Sequence, residues 1–234
     1  MASSRGGKKM WCVPAVDDEF IARMEDVLRL YARPYDAREP VVCLDERPVP
    51  LRDAARESVP MRPGRIARAD YEYVRRGTAN IFCIVEVLTG RRLTHATRNR
   101  SGPAFTRALK RIARRYPRAR TIHLVVDNLS THSLKCVTDA LGTRAGLALW
   151  RRFTLHFTPK HGSWLNAAEM EVSLVVRECL GRRRIGCLAA LRHEVGIWNR
   201  AADRSRRAIN WKFRVSDARR VFRYGGIATT RSGY

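Results

Sequence analysis

Two carboxylates each close a short run of apolar residues: Asp45 follows Val41-Val42-Cys43-Leu44, and Asp127 follows Leu124-Val125-Val126. Runs of this kind read as strands buried on both faces, and a strand end lets a side chain leave the core while staying rigidly held. A third carboxylate is available from Trp164-Leu165-Asn166-Ala167-Ala168-Glu169-Met170-Glu171, which opens a helical pattern. Helical geometry separates the two glutamates. With Glu169 at 0° and about 100° per residue, Leu165, Val172, Val176 and Leu180 fall at about −40°, −60°, −20° and +20°. Glu169 is therefore expected on the apolar face, where an unpartnered carboxylate costs several kcal/mol. Glu171 falls on the other side, beside Glu178, and is expected to be an ordinary surface charge.

Three carboxylates without a His/Cys ligand set make a hard-oxygen site, suited to two Mg²⁺ (or Mn²⁺) ions rather than zinc. Two such ions about 4 Å apart serve phosphoryl transfer. One activates water or a 3′-hydroxyl, and the other stabilises the leaving 3′-oxygen. The six cysteines (12, 43, 83, 136, 179, 187) form no CxxC pair and no zinc-spaced cluster. Their apolar surroundings predict buried thiols in a reducing compartment. The N-terminal MASSRGGKKMW has no signal-like apolar stretch, and no run approaches the roughly 18 apolar residues of a membrane span. The expectation is a soluble cytoplasmic protein, associated with the nucleoid.

Charge names the partner class. The 234 residues hold 46 Lys+Arg against 22 Asp+Glu, a formal net of +24. So positive a surface calls for a polyanion, and each neutralised phosphate of a nucleic acid releases condensed counterions. Only six of the basic residues are Lys, a skew that codon usage in a GC-rich genome also produces. Two blocks dominate, residues 91–120 and 177–234. The candidate DNA contacts are Arg91, Arg92, Arg107, Lys110, Arg111, Arg114, Arg115, Lys160, Arg182, Arg183 and Arg184. Trp198, Trp211, Phe213, Phe222 and Tyr224 interleave with the second block, either as stacking platforms for nucleic acid or as anchors holding the tail to the core.

The elements that must position the acids follow from periodicity. Asp17 to Ala32 is predicted helical, with Phe20, Ile21, Met24, Val27, Leu28 and Tyr31 at three- and four-residue steps. Val41–Leu44 is a strand, 47–77 a long loop, and 79–88 with 92–97 a hairpin turning at Thr89-Gly90. A helix opens at Ser101-Gly102-Pro103. A strand at 122–126, a helix over 133–142 and a strand at 153–157 follow, with Gly142 to Arg152 read as an enlarged loop. Helices over 165–180 and 188–201 complete the order. The class is α/β, a mixed five-stranded sheet flanked by helices. The expected division is a flexible lead-in (1–16), a helix before the core (17–40), the catalytic core (41–201) and a basic tail (202–234).

The stretches VVCLDERPV, HLVVDNLSTH and HFTPKHGSWLNAAEMEVS resemble the three-acid signature of the IS630 / Tc1-mariner transposase superfamily. The SWLNxxE element is the most specific part, and the likeness spans roughly residues 10 to 225. The resemblance implies an RNase H-like core with Asp45, Asp127 and Glu169 as catalytic metal ligands. It further implies Mg²⁺ dependence, excision at inverted-repeat ends and insertion at a TA dinucleotide. Asn128, His132, His161, Trp164 and Asn166 fall within the motifs. His132 and His161 are candidates for contacting phosphate or the attacking hydroxyl, although single histidines are more often structural.

Two departures stand out. Asp127 and Glu169 lie 42 positions apart, longer than is usual for the superfamily. No helix-turn-helix precedes the first helix, so end recognition is expected to need a separate N-terminal product. The working assembly is expected to be a homodimer on double-stranded DNA. Two other readings of the same residues are a truncated, binding-only transposase remnant and a different RNase H-like nuclease acting on hybrids or junctions.

Overall fold

The computed structural model describes residues 16–55, 64, 72–181 and 183–225. Helix α1 (Asp18–Tyr31) starts where the Asp17 carboxylate accepts the Phe20 N–H at 2.7 Å, and Phe20, Met24, Val27 and Leu28 are buried. Strands β1 (Val41–Ala54), β2 (Tyr73–Glu86) and β3 (His95–Thr97) follow, then helix α2 (Gly102–Arg115) and β4 (Ile122–Val126). Helices α3 (Leu134–Leu141) and α4 (Thr143–Trp150) precede β5 (Phe153–Phe157). Helices α5 (Ala168–Leu174), α6 (Leu188–Ser205) and α7 (Val215–Phe222) complete the order.

The five strands form one mixed sheet in the order β3-β2-β1-β4-β5, antiparallel from β3 to β1 and parallel from β1 to β5. Alternation along the strands sorts the core into layers. Val42, Leu44, Leu124 and Val126 pack with α2 residues Phe105, Leu109 and Ile112. Val41, Cys43 and Val125 face the other way, onto α1.

Four sequence expectations need correction. Residues 47–54 and 73–77, read as loop, extend β1 and β2 into a long hairpin. Prolines concealed it. β4 pairs with β1 only through Cys43, so beyond that point one edge of β1 is free. Pro48 and Pro50, two apart, direct their missing N–H groups to the same side of the strand, which a free edge tolerates. The segment after Gly142 is the helix α4 rather than a loop; Gly142, at φ 79°, breaks it from α3. α1 belongs to the core, and α6 runs to Ser205, past the expected boundary at 201. The lead-in lies outside the described residues except for Val16.

The basic tail is tucked in over its described part, up to residue 225. Trp211, Phe213, Phe222 and Tyr224 pack against the α1 cluster, and Trp198, on α6, packs against the cluster of Ile81, Val175 and Cys179 with its Nε1–H donated to Glu178 at 3.0 Å. Of the cysteines, Cys43, Cys83 and Cys179 are buried as expected, whereas Cys187 is exposed and Cys12 lies outside the described residues. Among the described residues no helix is long and apolar enough to cross a membrane.

Candidate active site

Parallel pairing of Cys43 with Val125 sets the register of β1 against β4. Asp45 continues β1 two residues past that pair and Asp127 directly follows the end of β4, so both acids leave the same end of the paired strands. Glu169 enters on the first turn of α5. Burial pushes the Asp45 carboxyl up to about 7, and the charges of Glu169, Glu46 and Asp127 add to that rise. Asp45 thus feels the charge of both other sequence-predicted acids.

Each acid is held by its surroundings. The Glu46 N–H donates to Asp45 Oδ1 at 2.7 Å. Asp127 Oδ1 accepts from His132 Nδ1 at 3.0 Å and from the Leu129 N–H at 3.2 Å. The His132 hydrogen bond is the largest influence holding the Asp127 carboxyl below its ordinary value, so Asp127 is ionised. His132 sits between two carboxylates, its Nε2 donating to Glu46 Oε1 at 2.9 Å. Burial opposes charge on this ring, but the hydrogen bonds to Asp127 and Glu46 outweigh it and push its pKa up to about 10. Glu46, Asp127 and His132 form a compact group whose ligand atoms lie within 4.8 Å of one another, and in the metal-free protein the protonated His132 ring bridges the two carboxylates and offers no free nitrogen lone pair. His132 thus ties Asp127 to Glu46, and Glu46 is the partner that sequence reading missed.

Loop residues tie the third acid to the first. Asn166 is buried; its Nδ2 donates to the Leu44 carbonyl at 2.8 Å, and its Oδ1 accepts the Ala168 N–H at 3.1 Å. The Tyr31 hydroxyl donates to the Leu165 carbonyl at 2.8 Å and accepts the Ala167 N–H at 3.2 Å. Asn128 bridges Arg23 and the Thr158 carbonyl. Trp164 is exposed and meets Phe213 edge-on and Phe222 face-on, linking the loop to the C-terminal segment. His161 is exposed at φ 63°, on the rim of a cleft of about 700 Å³ beside Asp127 that Phe20, Arg23 and Lys160 also line.

Glu169 and Glu171 exchange the environments expected from helical geometry. Glu171 is fully buried, and its Oε2 accepts Arg92 Nε–H at 2.9 Å; Glu169 is only partly buried. The cause lies in the segment's real geometry. Leu165 belongs to a 3-10 turn, and Val175–Leu180 form π turns, so three of the four residues that oriented the predicted helix lie outside α5. The buried stripe runs through Ala168, Glu171 and Val175 instead. Arg92, a candidate DNA contact, is likewise buried and committed.

Other basic candidates divide. Arg115 pairs with Asp203, and Arg183 with Glu194. Arg184 is exposed and donates to the Glu72 carbonyl at 2.8 Å. Among the described residues no ion-pair partner is seen for Arg91, Arg107, Lys110, Arg111, Arg114 or Lys160, and Arg182 lies outside the described residues.

The raised Asp45 carboxyl has a measurable consequence. Its folded pKa of about 7 exceeds the ordinary 3.8, so the native state holds the extra proton between those values. The Asp45 contribution to the stability of the metal-free protein then falls as pH rises from about 4 through 7, by about 2 kcal/mol after allowance for solvent screening. Melting in EDTA at pH 5 and pH 8 should show a smaller drop for Asp45→Asn than for wild type. Equal drops would contradict it.

A family profile described as "DDE superfamily endonuclease" matches residues 40–192. Among solved structures, the fold is similar to a pre-cleavage Mos1 transpososome (TM-score 0.53, 13% identity, covering 86% of this chain and 61% of that one). It is also similar to the Mos1 mariner paired end complex with Mn (0.51, 13%, 87% and 63%) and the Mos1 strand transfer complex (0.50, 15%, 87% and 61%). The chain thus spans somewhat over three-fifths of the Mos1 chains. No curated protein matches the sequence significantly.

Proposed function

The chain belongs to the DDE superfamily endonucleases, and we propose that it is the catalytic domain of a transposase, cutting DNA strands and joining the freed 3′ end to a target. The observation that carries this reading is Asp45 at its strand end, pushed to about 7 by burial and by the repulsion of Glu169, Glu46 and Asp127. That mutual repulsion is what divalent cations relieve, and an all-oxygen donor set fits Mg²⁺ or Mn²⁺. Two bound ions would supply activation of the nucleophile and stabilisation of the leaving 3′-oxygen.

The chain's own residues do the rest. Asp45, Asp127 and Glu169 are the residues that would hold the ions. Asp127 keeps Oδ2 free of the contacts that hold Oδ1. Lys160 and His161, beside the cleft, are placed to meet a backbone phosphate near the scissile bond. The active assembly in this reading is a homodimer on paired transposon ends, with end recognition supplied by a helix-turn-helix segment or a separate product. Support comes from the paired-end complexes among the structural neighbours, whose chains are longer than this one.

The duplex flanking the cut is assigned to α2. At about 100° per residue, Arg107, Lys110, Arg111 and Arg114 lie within a single face roughly 100° wide. Phe105 stacks near His132, so the start of α2 adjoins the acids and the stripe leads away from them. Replacing Arg107, Arg111 and Arg114 by Gln should reduce the slope of log affinity against log salt by about 3, without sequence preference. An unchanged slope would remove α2 from the interface.

The function is tested by incubating the purified chain and Mg²⁺ with duplexes carrying inverted-repeat ends bounded by TA, with RNA–DNA hybrids and with four-way junctions. Nicking at the repeat ends supports the transposase. Preferential cutting of hybrid or junction would replace it with another nuclease of the same fold.

A further inference from the structure

We propose that the buried Arg92–Glu171 pair is a positioning device for Glu169: it fixes the rotation of α5 on the sheet and so the presentation of the third carboxylate to Asp45. This rests on the reading of Glu169 as a metal ligand. Glu169 and Glu171 are two residues apart, about 200° around the helix. One glutamate is therefore clamped while the other is presented, and turning α5 to move either must move both.

α5 needs such a clamp. It is seven residues long, carries no side-chain N-cap hydrogen bond, and runs into π turns at Val175. Its own ends do little to orient it. Arg92, by contrast, is fixed from several directions. Nε donates to Glu171 at 2.9 Å, Nη1 to the Gly90 carbonyl at 2.6 Å, and Nη2 to the Arg207 carbonyl at 3.1 Å. Its backbone N–H donates to Asp203 at 2.9 Å, and the Thr94 hydroxyl meets the other oxygen of Glu171 at 3.3 Å. The hairpin turn, the end of α6 and the C-terminal segment thereby converge on one carboxylate of α5. Stability alone is a weak explanation for such a pair, because well-packed apolar residues of the same volume usually do as well or better. What an ion pair adds is a single allowed geometry.

The test counts bound Mn²⁺ by electron paramagnetic resonance in the full chain, without DNA. Glu171→Ala should weaken the Mn²⁺ site that includes Glu169 ten- to a hundredfold, the usual range for residues that orient metal ligands. The site shared by Asp45 and Asp127 should change little, and Glu171→Gln, which still accepts from Arg92, should recover part of the loss. General loosening of the fold would weaken both sites together, which overturns the proposal. Where Glu171→Ala fails to melt cooperatively, Arg92→Lys serves instead, since it keeps the charge but gives up the fork; the same selective weakening is expected. Two wild-type Mn²⁺ affinities in a folded variant also overturn it. If Asp45→Asn leaves Mn²⁺ binding of the otherwise wild-type chain unchanged, the metal-centre reading itself fails, and this inference with it.

Discussion

Asp45→Asn, Asp127→Asn and Glu169→Gln are each expected to lower divalent-cation-dependent strand cleavage by on the order of a thousandfold or more, because losing one metal ligand removes several kcal/mol of transition-state stabilisation. DNA affinity should remain close to that of the unchanged chain, since it comes from the basic surface and not from the acids. The variants keep side-chain shape but surrender charge and one oxygen donor. Asp45→Asn should also gain stability above pH 7 while losing activity, because the carboxylate it replaces is strained by burial and by Glu169, Glu46 and Asp127. Opposite signs for activity and stability distinguish a functional acid from a structural one. Cleavage retained in Glu169→Gln but lost in Glu171→Gln would move the third ligand to the buried position and require the Arg92 pair to open.

The second large effect concerns that pair. Arg92→Ala should destabilise the fold by about 3–5 kcal/mol, because it leaves the Glu171 carboxylate buried with its main cation gone. For a chain of this size the melting temperature should fall by roughly 10 °C or more. Arg92→Met combined with Glu171→Leu should recover most of the loss, since two apolar side chains leave no orphaned charge. Denaturant unfolding of the single and double variants measures both numbers. A cost below about 1 kcal/mol for Arg92→Ala would mean that Glu171 reaches water, as the sequence first suggested.

The sheet was largely legible because its central strands announce themselves. Val41–Leu44 and Ile122–Val126 are continuous apolar runs with an acid at the end, and parallel pairing needs strands of that kind. The outer half of the hairpin was hidden by Pro48 and Pro50, whose placement makes sense only once β1 is known to lose its β4 neighbour after Cys43. Nothing in the local sequence reports where a partner strand stops. α4 was hidden by Gly142, which ends one helix and starts the next instead of opening a loop.

In the site, Asp45 and Asp127 could be read from the strands that carry them, and Glu169 from the motif around it. The face of α5 could not, because an ideal helix drawn from Leu165 to Leu180 averages over a 3-10 turn, an α-helix and π turns. The signal that would have corrected it is Arg92: of the two adjacent arginines between Gly90 and Leu93, on a turn flanked by apolar strand residues, one must point inward, and an inward cation calls for a buried anion. Likewise Glu46, adjacent to the first acid, reads as a turn residue until His132 is seen beside it. Pairings between residues distant in sequence are set by the tertiary fold and leave no local trace.

The most direct test of the metal centre is a crystal structure with bound Mn²⁺, phased to locate the ions by anomalous scattering. The expected map has two peaks about 4 Å apart, one between Asp45 and Asp127 and the other between Asp45 and Glu169, with His132 still hydrogen-bonded to Glu46. A single peak held by Glu46, Asp127 and His132, or peaks that leave Glu169 without a metal contact, would contradict it.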